Sequence, residues 1–247
     1  MTFNYFQKGR IYMNIVDYYS EINNKSQDIF QKTIEDSSSL GETHAISAFI
    51  FEFSECLFEI KEKDMLRMVA SQLETATLNL SLGLYRQAFS SLRLAFEMGL
   101  GLIFFSIHKL EHNEWLNGEN DIKWAKLIDE NNGILSKRFA KAFFRELSED
   151  IEQYNNRAKK VYREMSEYVH GNNETWEKSG LIIEYNENLQ IRYFKLFKEV
   201  SSILLFVLNC RYLKSLESND VEGLSEFLLE ELSHIAAIRE FLGGVKE

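Results

Sequence analysis

Tyr162-Arg163-Glu164-Met165-Ser166-Glu167-Tyr168-Val169-His170-Gly171 is the stretch around which this 247-residue chain is best read. Arg163 and His170 stand seven positions apart, and seven steps of about 100° return a helix to within roughly 20° of its starting direction. The two side chains therefore share one face. Ile151, Tyr154, Ala158, Val161, Met165 and Val169 gather about 160–240° away from Arg163 and predict the buried stripe. Glu152, Asn156, Lys159, Lys160, Ser166 and Glu167 accompany Arg163 and His170 on the outward face, which looks at solvent or at a second copy of the chain.

Such a pair has definite chemistry. A guanidinium forms a planar fork that grips a phosphodiester bidentately, and an imidazole takes or gives a proton near neutral pH. RNA cleavage by attack of its own 2′-hydroxyl needs both actions. Gly171 and Asn172 read as a helix stop, which puts His170 in the last turn, where the helix dipole favours its charged form. One His serves as acid or as base, and a symmetric dimer would supply two His and two Arg to one cleft.

The Arg-x6-His spacing inside Ser-Glu-Tyr-Val-His-Gly, together with the upstream run Gly83-Leu84-Tyr85-Arg86-Gln87-Ala88 leading through Leu92-Arg93 to Glu97, resembles the HEPN superfamily of helical nucleotide-binding domains. The resemblance covers roughly residues 64–216. It implies an α-helical bundle that forms a homodimer and acts as a metal-independent endoribonuclease, without cofactor, in a bacterial toxin or antiviral defence system. Arg163 would bind the scissile phosphate, His170 would be general acid or base, and the products would carry a 2′,3′-cyclic phosphate. Lys159, Lys160, Ser166 and Glu164 are second choices for contacting RNA, while Arg93, Glu97 and Tyr168 would support the face from within. A partner protein or antitoxin is a further implied possibility. Two positions depart from the family pattern. Glu164 follows the Arg where many members have Asn or Asp, and Asn172 stands where the subgroup silenced by nucleotidylation has Tyr. A second reading keeps the fold without the chemistry, as a dimerisation or effector-binding subunit of a larger defence complex.

Composition sets the frame for these readings. The chain has no Pro and only 12 Gly, which favours long uninterrupted helices, and apolar residues recur at spacings of three and four. An all-α bundle is expected. The net charge of −10 lies in the flanks: residues 1–62 carry −5, residues 217–247 carry −6, and residues 63–216 carry +1. Within the middle, residues 136–163 hold eight basic side chains against four acidic ones, a ridge able to steer one phosphate chain. Cys56 and Cys210 sit in apolar contexts that suit a reducing compartment. No basic-then-apolar leader opens the sequence, and charges interrupt the most apolar run, residues 84–107, so a cytoplasmic protein off the membrane is expected.

Three segments follow from the patterning: accessory N-terminal helices over residues 1–62, the bundle over 63–216, and an acidic helix over 217–247 packed on the bundle. Finer expectations are an aromatic arm at 1–9, a helix over 10–36 broken by Ser37-Ser38-Ser39-Leu40-Gly41, and a helix over 42–61. Asp64 should cap the next helix, which runs to Leu82 and is punctuated by Gly83. A buried helix over 84–109, a polar connection and a short helix over 121–130 come next. Ser136 should open one long helix to His170. A short strand at 181–185 turning at 186–188, a helix over 189–216, and a last helix over 220–242 stopped by Gly243-Gly244 complete the chain. His108 and His112 have a spacing able to share a metal but no third ligand. His44 and His234 read as ordinary histidines, and Gly99 and Gly101 as sites of close helix packing.

Overall fold

In a computed structural model the protein is described over residues 14–170 and 183–245. Its helices are α1 (Ile15–Ile34), α2 (Ser37–Glu55), α3 (Ile60–Ser81), α4 (Tyr85–Ile107), α5 (Lys109–Leu116), α6 (Trp124–Leu127), α7 (Lys137–Phe143), α8 (Ile151–His170), α9 (Glu187–Tyr212), α10 (Ser218–Leu232) and α11 (Ala236–Phe241). Short 3-10 turns occupy Arg145–Ser148 and Leu213–Ser215. No strand occurs among the described residues, so the fold is all-α.

Helix α4 is the axle. It is apolar on nearly every side, and α3, α8 and α9 pack around it. By length and composition α4 could cross a membrane, yet 72% of its most apolar window is buried inside the protein, so its apolar surface is spent on the core. Two glycines let neighbours approach it closely, as their sequence context predicts. A Cβ on Gly99 would lie 2.5 Å from Leu204 Cδ2 of α9, and one on Gly101 would lie 2.7 Å from Ile122 Cδ1. Helix α8 is pinned at both ends by ring stacking: Tyr168 on Phe89 of α4 at 3.8 Å, and Tyr154 on Phe206 of α9 at 3.7 Å. One continuous apolar core runs from Ile46 on α2 to Ile238 on α11.

Several local expectations hold. Gly83 takes φ +77° and turns α3 into α4, Gly243 takes φ +85° beyond α11, and the Ser136 side chain accepts from Phe139 N at 3.2 Å to start α7. Others do not. Ser37 to Gly41 form the first turn of α2, because Asp36 accepts from Ser39 N and caps a helix there. The α2–α3 joint falls at residues 56–59, so Asp64 sits inside α3 and pairs with Arg67 at 3.3 Å. The single long helix expected from Ser136 to His170 is two helices and a 3-10 turn. Phe144 leaves helical geometry at φ −147°, ψ 83°; Phe139, Phe144, Leu147 and Ile151 are all buried, and because a straight helix would group them within about 140°, the apolar pattern carries no mark of the bend.

The described part of the expected strand, Ile183 to Tyr185, has no strand geometry. Asn186 is a cap, accepting from Leu189 N at 3.1 Å, and Ile183 is buried beside Gly83. Apolar enrichment at those positions reflects a buried lead-in to α9, not a strand. The polar connection after α4 contains α5, and the C-terminal helix breaks at Ser233–Ile235 to bury Ile235. The aromatic arm, the start of the first helix and the stop at Gly171-Asn172 lie outside the described residues. His108 and His112 are separated by the α4–α5 joint, each stacked on a different ring, Phe104 and Phe105. Among the described residues no three metal-ligating side chains converge.

Two stability consequences follow. Gly99→Val forces a branched side chain against Leu204, so urea denaturation should show a loss of about 2 kcal/mol. Buried His112 is held below the ordinary imidazole value of 6.5 by desolvation, with Lys109 and Lys61 adding to it. Because the unfolded chain then binds a proton that the folded protein resists, stability is complete above about pH 6.5 and declines as pH falls below it. His112→Leu should flatten that decline in a pH series of denaturation midpoints.

Candidate anion-binding face on helix α8

The amphipathic pattern of α8 places its outer face as expected. Ile151, Tyr154, Ala158, Val161, Met165 and Tyr168 are buried, Val169 is half-buried, and Arg163 and His170 are exposed. The rotation of the helix is fixed by polar contacts on both flanks. On the α4 side, Arg93 donates to the Tyr162 hydroxyl and lies 4.5 Å over its ring, while Tyr162 donates to Glu97 at 3.5 Å and stacks on Trp124 at 3.7 Å. Burial pushes the Glu97 carboxyl above the usual carboxylate range, against the pull of Arg93 and the Tyr162 hydrogen bond. Arg93 and Glu97 thus meet through Tyr162, and Tyr168 lies beneath the face against Phe89.

On the α9 side, Arg157 donates to Glu199 and to Ser202, both at 3.0 Å, and Arg192 pairs with Glu164. Between α8 and α9 opens a groove of about 490 Å³, lined by Asn156, Lys159, Lys160, Arg163, Glu164, Glu167 and Arg192. Nothing matches this chain among protein families, curated proteins or solved structures. Its site therefore stands on its own geometry.

Four of the groove's side chains are basic and two are acidic. Lys159 is tied to Glu130 at 2.6 Å, and the Ser166 hydroxyl donates to the Tyr162 carbonyl at 2.7 Å, so neither polar head is idle. Glu164 turns toward Arg192 and away from its chain neighbour Arg163. Among the described residues Lys160, Arg163 and His170 meet no acidic partner, and no Arg163–Glu167 ion pair forms. His170 lies beyond the groove, in the last described turn of α8. The basic ridge of residues 136–163 is not one surface: the bend at Phe144 separates it, Lys137 pairs with Glu149, and Arg138 donates to Asn132.

Two contributors escaped the linear sequence. Arg192 reaches the groove from α9, six residues past the Asn186 cap, and nothing in the linear sequence marks it. Arg86 donates to the Val169 carbonyl at 2.9 Å, closing the α8 turn that carries His170. A charged hydrogen bond of this kind, partly open to water, is worth about 1 kcal/mol. Arg86→Met should therefore raise hydrogen exchange of the Tyr168 to His170 amides roughly fivefold, with little change at the centre of α4.

Proposed function

We propose that this protein is an endoribonuclease that cleaves RNA by attack of the 2′-hydroxyl on the adjacent phosphorus, using side-chain chemistry alone. The observation that carries the reading is the joint exposure of Arg163 and His170 on one face of α8, with neither committed to an acidic partner among the described residues. Arg163 would hold the two non-bridging phosphate oxygens and stabilise the charge that builds there in the transition state. His170 would take the proton from the 2′-hydroxyl or give one to the departing 5′-oxygen. As the 2′-oxygen bonds to phosphorus, the P–O5′ bond breaks, leaving a 2′,3′-cyclic phosphate and a 5′-hydroxyl. The complementary proton transfer falls to His170 of a second copy in a homodimer.

The resemblance to HEPN proteins supports this chemistry and suggests its setting, a cytoplasmic toxin or antiviral defence system, with a partner protein or antitoxin to restrain it. Pairing of Lys159 with Glu130 and of Glu164 with Arg192 favours the second reading to a lesser degree, a non-catalytic assembly module in which the polar face holds structure.

Incubation of the purified protein with labelled tRNA and total RNA in excess EDTA tests the proposal. Wild type should release fragments ending in 2′,3′-cyclic phosphate. His170→Ala should cut at least a hundredfold more slowly, and Arg163→Ala by a similar or larger factor. Equal cleavage by His170→Ala would remove that residue from the chemistry. Absence of cleavage by any form, with assembly lost in the Arg163→Ala/His170→Ala double variant, would favour the module.

A further inference from the structure

We propose that Arg192 is a second phosphate-binding residue for the same RNA strand, and that Glu164 is the residue that positions it. The identity of the strand rests on the ribonuclease reading; the groove and the ion pair do not.

Glu164 is the least exposed carboxylate of the groove, with 17% of its side chain open to solvent. A carboxylate so covered needs a cationic partner, since leaving it unpaired incurs the desolvation penalty of a buried charge. Arg192 supplies that charge, its Nε lying against Glu164 Oε1 in an ion pair, while the buried oxygen accepts no aligned hydrogen bond. The guanidinium is planar, so an ion pair drawn to its Nε edge leaves the Nη edge on the other side. Its two Nη groups form no bond to any described residue, and the side chain, 42% exposed, lines the groove beside Lys160 and Arg163. Glu164 therefore acts as a hinge-pin for an Arg whose phosphate-binding edge is still unused.

The shape of the groove selects the ligand class. It is open to solvent and lined by α8 together with Arg192 of α9, which suits a solvated chain more than a compact molecule that must be mostly enclosed. Its cations come from both helices: Lys160 and Arg163 from α8, without acidic partners among the described residues, and Arg192 from α9, paired with Glu164 on one edge only. A phosphodiester held by Arg163 has its neighbour along the strand within reach of the opposite wall. Base edges have few partners here, since Asn156 is the only uncharged polar side chain of the lining. Arg192 thus adds affinity and register without sequence preference.

The test uses an RNA oligonucleotide with every 2′-hydroxyl methylated, which keeps the phosphates and removes the nucleophile, so that binding is read without cleavage. Fluorescence anisotropy of the full-length protein over a salt series should show Arg192→Gln binding three- to tenfold more weakly, with a slope of log affinity against log salt shallower by about 0.7, the value of one single-strand phosphate contact. Glu164→Gln removes a negative charge from the groove and by Coulomb's law alone should tighten binding. Positioning predicts the opposite, a severalfold loss, because the Arg192 fork is released. Melting temperatures near wild type establish that both variants are folded.

Binding by Arg192→Gln with wild-type affinity and slope, tighter binding by Glu164→Gln, or no binding by wild type at low salt would each overturn the proposal. Cleavage of unmodified RNA distinguishes the two claims. Intact cleavage with Arg192-independent binding would sink this inference alone, whereas Arg192-dependent binding without cleavage would sink the ribonuclease reading and leave the groove.

Discussion

Burial of one stripe of α8 between α4 and α9 is the constraint from which the rest of the polar surface follows. Ile151, Tyr154, Ala158, Val161, Met165 and Tyr168 are all withdrawn from water, and a large apolar side chain contributes roughly 1.5–3 kcal/mol on full burial. Their sum far exceeds what any exposed ion pair on the opposite side could add, since surface pairs contribute about 0–1 kcal/mol. The outer face is thus exempt from folding duty. Lys160, Arg163 and His170 could be replaced with little change in stability, and a cluster of charges that the fold does not require is most simply explained by something it meets.

Polar contacts on the two flanks add precision that apolar burial lacks. A greasy stripe tolerates some roll of a helix about its axis, because neighbouring apolar groups substitute for one another. Tyr162 does not tolerate it: its ring is clamped on Trp124 while its hydroxyl is shared between Arg93 and Glu97. On the other flank a roll of one residue would carry Arg157 away from Glu199 and strand the covered Glu164 carboxylate. Together these contacts hold the outward direction of Arg163 to a narrow range, which is what a phosphate-gripping side chain needs.

The face of α8 was legible because it depends on a period, and a 3.6-residue period survives in the linear sequence. The helix boundaries were less so. At Phe144 the chain abandons a helix that local propensity allows, and the apolar phase gives no warning, because Phe139, Phe144, Leu147 and Ile151 would share one broad face of a straight helix. Asp36 followed by three serines reads as a breaker or as a cap, and only the packing of α2 on α3 decides. The strand expected near Ile183 failed for a related cause: a short apolar run says that a segment is buried and leaves its geometry open. Arg192 was out of reach altogether. Its membership in the groove is a relation between two helices separated by the whole 171–186 connection, and the covered Glu164, whose pairing reveals it, looks in sequence like any surface carboxylate.

Helix geometry also bears on how the proposed chemistry could be assembled. Seven residues at 1.5 Å rise put the Arg163 and His170 backbones about 10 Å apart along α8, while reacting groups must come within about 3–3.5 Å. Side chains on a helix lean toward its N-terminus. His170 therefore leans back toward Arg163, but Arg163 leans away from it, toward Lys159 and Lys160, and the separation does not close. An antiparallel arrangement of two α8 helices about a two-fold axis removes the difficulty, since it sets the His170 of one copy against the Arg163 of the other and repeats the contact by symmetry. A spacing of seven is thus compatible with a site shared between two copies. On this geometry the proposed chemistry would draw on a dimer, and the groove leading to Arg192 is where each strand would enter it.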